Sequence, residues 1–221
     1  QTQAEADAAP SFGAYNAPGK FRFVDIDGDG EINDDDRTEI GSPHPDFVYG
    51  ISLNLSYKNL GLAVFGNGSS GNDIFNYVRY FADFNSFQGN RSVRALRDAW
   101  QPSNPSAPRS QWIAANPDAT SPIMDANDQT SSRVTTYLIE DGSYFRIRNI
   151  QLTYTFGDVI NNALGINSGN IYLQGQNLFT FTNYSGLNPE VNEGSDLTLG
   201  YDGGYMPVAK TITVGLNLNL F

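Results

Sequence analysis

Between Val24 and Asp34 the sequence reads VDIDGDGEIND, which sets five acidic side chains and two glycines in one short stretch. Asp25, Asp27, Asp29, Gly30, Ile32 and Asp36 fit the pattern D-x-D-x-D-G-x-I-N-x-x-D. That is the spacing of an EF-hand or dockerin-like calcium loop, with Asp in place of Glu at the twelfth position. The chemistry would be coordination of one hard cation: carboxylates at loop positions one, three and five converge, Gly30 permits the sharp turn, and Glu31 offers its main-chain carbonyl. The other reading of the same residues is a solvated acidic turn whose glycines supply positive φ. Acid–base catalysis is a poor fit, because no histidine or other pocket-forming partner stands nearby. The expected metal set is Asp25, Asp27, Asp29, Glu31 and Asp36, with calcium as the ion. No catalytic or organic cofactor-binding residue is expected, and the chain does not read as an enzyme.

Other stretches invite chemistry and lose it in context. GNGSSG, from Gly66 to Gly71, is formally G-x-G-x-x-G after a strand-like run. A dinucleotide site needs a parallel βαβ unit and a second strand ending in an acid, and neither is present. The glycines therefore read as a strand running out into a loop. His44, the single histidine, lies between Pro43 and Pro45 and has no triad partners. Trp100, Trp112, Tyr77, Tyr80, Phe81, Phe84 and Phe87 gather in one long segment with Arg79, Arg91, Arg94 and Arg97. Such rings stack on sugars or anchor interfaces, but IFNYVRYFADF reads first as an amphipathic helix in a small core of its own.

Composition removes further classes. Lys and Arg number 13 against 24 Asp and Glu, a formal charge of -11 among 221 residues, which argues against nucleic acid as a partner. Without cysteine there is no disulfide, thiolate nucleophile or zinc–thiolate site. No run approaches the roughly 18 to 20 apolar residues of a membrane helix, a limit that leaves membrane strands open. The first twenty residues show neither a basic n-region nor an apolar h-region, so any export signal is expected elsewhere.

The elements that must carry these residues show a period of two. In FVYGISLNLSY the positions Phe47, Tyr49, Ile51, Leu53, Leu55 and Tyr57 alternate with small and polar residues, and Lys58-Asn59 turns the chain into LGLAVFGN. IQLTYTF, NIYLQGQNLFTF and TITVGLNLNLF repeat the pattern, making about five strands of about ten residues. Connections alternate between short turns and long loops rich in Asn, Asp, Ser, Gly and Pro, as in an outer-membrane barrel. Tyr57, Tyr154, Phe156 and Phe221 mark one end of the strands, and Phe47 and Tyr49 the other, as interfacial girdles do. A soluble sandwich also alternates, although its strands are usually shorter and its loops rarely so long. Five strands cannot close around a lumen, so the chain reads as part of a larger barrel.

The blocks APGKFRFVDIDGDGEINDDDRTEIGSPHPDFVYGISLNLSYKN, DGSYFRIRNIQLTYTF, IYLQGQNLFTFTNYSGLNPEV and TITVGLNLNLF resemble, in order, the C-terminal part of the SusC/RagA-type TonB-dependent transporters of Bacteroidetes outer membranes. The resemblance runs from about Ala17 to Phe221. It departs from the family's usual Asp-Pro-Glu-Val at Asn188-Pro189-Glu190-Val191, and Phe221 falls out of alternation with Leu220. It implies an all-β, antiparallel transmembrane β-barrel segment located in the outer membrane. It further implies import of a glycan or peptide, a SusD-type lipoprotein lid, and energy from TonB acting through an N-terminal plug outside this sequence. On that frame residues 1–46 are an extracellular loop with the calcium-like motif and 47–66 a β-hairpin. Residues 67–141 are a long extracellular loop with room for a short helix, and 142–181 two strands with a periplasmic connection. An extracellular loop at 182–205 and the last strand at 206–221 follow, with Ile212, Val214, Leu216 and Leu218 toward lipid and Asn217 and Asn219 inward. The alternative is a secreted, calcium-bound β-sandwich that binds carbohydrate.

Overall fold

A computed structural model describes residues 2–84, 91–125, 128, 133–191 and 196–220. Phe87 and Phe221 lie outside the described residues. The chain divides into two compact units, Gln1–Ile40 with Asn76–Ile139, and Gly41–Phe75 with Glu140–Phe221.

The second unit holds an antiparallel sheet in the order β1–β2–β5–β6–β8. Its strands are β1 (Phe47–Tyr57), β2 (Leu60–Ser70), β5 (Tyr144–Thr155), β6 (Ser168–Thr182) and β8 (Thr211–Asn219). The register sets Leu53 opposite Val64, Val64 opposite Ile150, Leu152 opposite Leu173 and Leu173 opposite Val214. One face is therefore apolar across all five strands, and it is bare: Leu53 is 47% exposed, Ile51 59% and Val214 69%. A sandwich would cover this face with a second sheet. None does so among the described residues, and the sandwich alternative fails on that point.

Two features lay beyond the alternation. First, β2 runs on through GNGSSG to Ser70 instead of leaving the sheet at Gly66. Gly66 and Gly68 lie on the apolar face under aromatic rings. A Cβ on Gly66 would stand 2.6 Å from Phe145, and one on Gly68 2.1 Å from the Tyr144 carbonyl and 2.9 Å from Tyr49. Tyr49 and Phe145 stack over this flat strip with centroids 5.9 Å apart, and the Tyr49 hydroxyl donates to the Tyr144 carbonyl at 3.3 Å. Second, the ladder on β5 skips Arg148, a bulge that shifts the register between Ile147 and Asn149. Phe145 and Ile147 before it, and Ile150, Leu152 and Tyr154 after it, can all face the apolar side only because one extra residue reverses the phase.

A smaller sheet, β4–β3–β7, joins β3 (Asp73–Asn76), β4 (Ile139–Asp141) and β7 (Tyr201–Asp202). Ile74, Tyr184 and Val191 form the buried cluster beside it. The turn at Lys58-Asn59 is short as expected, with Lys58 at φ 52° and Asn59 donating to the Thr155 carbonyl at 2.8 Å. The connection after Phe156 contains a helix, α4 (Asp158–Leu164).

The first unit contains α1 (Gln3–Asp7), α2 (Tyr77–Asp83) and α3 (Val93–Asp98). Asn76 and Ser92 cap α2 and α3, accepting from the amides of Arg79 and Ala95 at 2.9 Å each. Of the expected helix only Tyr77–Asp83 is helical, because Ile74–Asn76 pairs into β3 instead, and the helix packs into a small aromatic core. Phe84, Trp100 and Leu138 are buried, Tyr137 lies 5.1 Å from Phe21, and Trp100 lies 6.1 Å from Trp112.

Candidate functional site

The acidic loop lies in the first unit. Its backbone is pinned to Ser11, whose amide donates to the Gly30 carbonyl at 2.8 Å and whose carbonyl accepts from Ile32 at 2.8 Å. Both bonds flank Glu31, so the amide and carbonyl of Glu31 point away from Ser11, and its amide donates to Asp29 Oδ1 at 2.7 Å. Gly30 sits at φ 88°, the left-handed conformation the sharp turn needs. The Asp25 carboxylate accepts from Gly28 at 2.6 Å and from Gly30 at 2.9 Å.

One carboxylate oxygen from each of Asp25, Asp27 and Asp29 lies within 4.8 Å of the others. Calcium holds oxygens at about 2.3–2.6 Å, so two ligands of one ion stand no more than about 5 Å apart. The three aspartates fit that limit. Asp36 is not in this group: its two oxygens accept from Ile26 at 2.7 Å and Asn33 at 2.8 Å, which ties loop position twelve back to the start. Those two amide bonds, Asn33 first, hold the Asp36 carboxyl below its usual range. Asp27 moves the other way. The amide of Asp29 pulls it down, but desolvation and the charges of Asp29, Asp36 and Asp25 outweigh that bond and raise it. A dication placed among these carboxylates would relieve the repulsion that raises Asp27.

A second cluster, in the second unit, escaped the sequence reading. The five strands contain two charged residues, Arg146 and Arg148, both on β5. The bulge turns both toward the polar face, where each guanidinium meets Glu190 of the segment after β6. Arg146 also donates to Thr180 Oγ1 at 2.8 Å and Asn188 Oδ1 at 2.7 Å, and Arg148 to Asn67 Oδ1 at 2.5 Å. The Tyr144 hydroxyl donates to Glu190 at 2.7 Å. A signal was present in the sequence: two arginines interrupt otherwise uncharged strands at the point where apolar residues change from odd to even positions.

The remaining candidates are structural. Asp83, its side chain 1% exposed, pairs with Arg79 at 3.3 Å and with Arg94, and accepts from Ser92 at 2.6 Å and Tyr137 at 2.8 Å. Arg91 donates to the Phe84 carbonyl, while Arg97 is exposed. These contacts tie Arg79, Arg91 and Arg94 into the loop itself, where Phe84 and Trp100 are buried. His44 is exposed, with no acid–base partner among the described residues.

No family model matches the chain. A TonB-dependent receptor P3 of Formosa agariphila is 34% identical over 207 residues, 91% of this chain. The TonB-dependent receptor SusC of Bacteroides thetaiotaomicron is 30% identical over 220 residues, 96% of this chain. Among solved structures, the RagAB peptide importer in its closed-closed state superposes with a TM-score of 0.65 at 26% identity over 91% of this chain. The chain spans 19% of each of those two relatives and 20% of the superposed chain. Relatives of this kind are outer-membrane β-barrels. Five strands with a bare apolar face and two open edges are an antiparallel segment of such a barrel, with the apolar face toward lipid and the polar face inward. Ile212, Val214, Leu216 and Leu218 accordingly share the lipid face with Ile171 and Leu173.

Proposed function

We propose, on the premise that this chain is about a fifth of a SusC/RagA-type TonB-dependent receptor, that it forms part of the barrel wall and outer loops of a nutrient importer. The whole receptor carries an oligosaccharide or peptide across the outer membrane, works with a SusD-type lipoprotein, and draws energy from TonB through a part outside this chain. Its work is binding and gated passage rather than bond chemistry. The observation that carries this reading is the wall itself: alternating strands that carry no charge except Arg146 and Arg148, apolar on one side and mainly polar on the other. The relatives' names agree with it. Deleting the full-length reading frame should abolish uptake of one class of oligosaccharide or peptide, and loss of TonB should do the same. The full-length product should fractionate with the outer membrane. A soluble periplasmic product, or undiminished uptake across a panel of both substrate classes, would refute the proposal.

Calcium in the acidic loop belongs to the same reading. Asp25, Asp27 and Asp29 would supply side-chain oxygens and Glu31 its carbonyl, while Asp36 closes the loop. A bound dication would cancel the repulsion that raises Asp27 and so order the loop. Its role would be structural.

A further inference from the structure

The helix that joins β5 to β6 is turned the wrong way for water. In α4, Asp158–Leu164, Gly165 ends the helix in the left-handed conformation at φ 67°, and the amide of Ile166 donates to the Asn161 carbonyl at 3.0 Å. At about 100° per residue, Val159, Ala163, Ile160 and Leu164 follow one another around an arc of about 140°. Asn161, Asp158 and Asn162 fill the remainder. An amphipathic helix at the end of a sheet ordinarily lays its apolar stripe on the protein. Here the polar side meets the chain: Asn161 is 9% exposed, and its Nδ2 donates to the Phe156 carbonyl at 3.3 Å. The stripe is bare among the described residues, with Val159 84% exposed, Leu164 59% exposed and Ala163 exposed, while Ile160 is half-buried.

The helix also starts where the lipid face ends. The Phe156 ring lies over Gly169, where a Cβ would stand 2.7 Å from it and 3.0 Å from Leu218. Gly169 pairs with Leu218 and lies two positions from Ile171, so Phe156 belongs to the lipid face. The Tyr154 ring lies beside it with centroids 6.2 Å apart, and Lys58 stands 5.4 Å from the ring of exposed Tyr57 at the same end. Such rings and a cation at strand ends mark the headgroup level of a bilayer.

We propose that α4 is an interfacial anchor, its stripe of Val159, Ile160, Ala163 and Leu164 lying at the boundary of headgroups and acyl chains in the leaflet at the short-turn end of the barrel. The inference rests on the reading of the chain as barrel wall. The occupant is membrane lipid because the stripe continues a lipid-facing surface past its last strand residue and carries no charge. Asp158, the one charged residue of α4, lies on the opposite side of the helix.

The test uses the full-length receptor, carrying one cysteine at a time, reconstituted in phosphatidylethanolamine–phosphatidylglycerol vesicles. Nitroxide labels at Val159→Cys and Leu164→Cys should collide more with oxygen, which concentrates in lipid, than with a water-soluble nickel chelate. A label at Asn162→Cys should show the reverse order. Val214→Cys on β8 is the reference for the lipid face. A nickel-accessible label there means that the barrel reading itself has failed, whereas a lipid-exposed Val214 with nickel access at Val159 or Leu164 overturns the anchor alone. Labels at those two positions shielded from both reagents also overturn it, since protein rather than lipid would then cover the stripe, as does one order shared by all three helix positions. Val159→Asp with Leu164→Asp should leave heat-modifiable gel migration intact, because both side chains are exposed, and should abolish the oxygen preference of a label at Ala163→Cys. An oxygen preference that survives the double change overturns the proposal equally.

Discussion

Glu190→Ala is the sharpest test of how the outer part of the wall is held. The change strips both arginines of their carboxylate and leaves the Tyr144 hydroxyl without its acceptor. Leaving one partner of a fully buried pair alone costs about 3–5 kcal/mol. Arg146 is in that position, but Glu190 is 24% exposed and Arg148 25%, so water offsets part of the loss. About 2–3 kcal/mol remains. In native-state hydrogen exchange on the full-length receptor, amides at the Tyr144 end of β5 and in residues 184–191 should therefore exchange about 30- to 150-fold faster. Glu190→Gln, which keeps the shape and loses the charge, should fall between. Burial pushes the Glu190 carboxyl up, but bonds from Arg148 and Tyr144 and the charges of both arginines outweigh it and hold the group below its ordinary 4.5. Its contribution is therefore complete above pH 4.5 and lost as pH falls through the lower folded value. Exchange within about threefold of wild type, or an acid sensitivity unchanged in Glu190→Gln, would refute the reasoning.

Further outcomes follow from the same geometry. Gly68→Ala should sharply reduce the assembled, heat-modifiable fraction, because its Cβ would lie 2.1 Å from the Tyr144 carbonyl. Gly61→Ala should be silent, since its nearest contact is at 4.0 Å, and equal behaviour of the two would argue against the close-packed strip. Leu53→Arg on the lipid face should cost about 2–4 kcal/mol of barrel stability in lipid, and Asn54→Arg on the inward face much less; the reverse order in a urea titration would invert the wall. Calcium titration by calorimetry should give one site that Asp27→Ala with Asp29→Ala abolishes while the barrel still assembles. Because Asp27 is raised, binding should begin to weaken above the usual aspartate range as pH falls, and a binding isotherm untouched by the double change would remove the assignment.

The strands and the acidic loop were legible because both are local. Alternation in Phe47 to Tyr57 decides which side chains share a face whatever the strand pairs with, since successive residues of any strand point to opposite sides. The three converging aspartates fall within five residues of one another, so the spacing alone brings them together. What the sequence by itself left open depended on partners far along the chain. GNGSSG stays in the sheet because Tyr49 and Phe145 lie over its glycines. Asp83 is a buried anion because Tyr137, 54 residues away, donates to it. Glu190 meets Arg148 across 42 residues, and it does so because a single bulged position reverses the phase of β5 and turns both arginines inward. Periodicity specifies the faces of a strand, whereas register, bulges and the closing of long loops are settled only when non-local pairings compete for the same backbone hydrogen bonds.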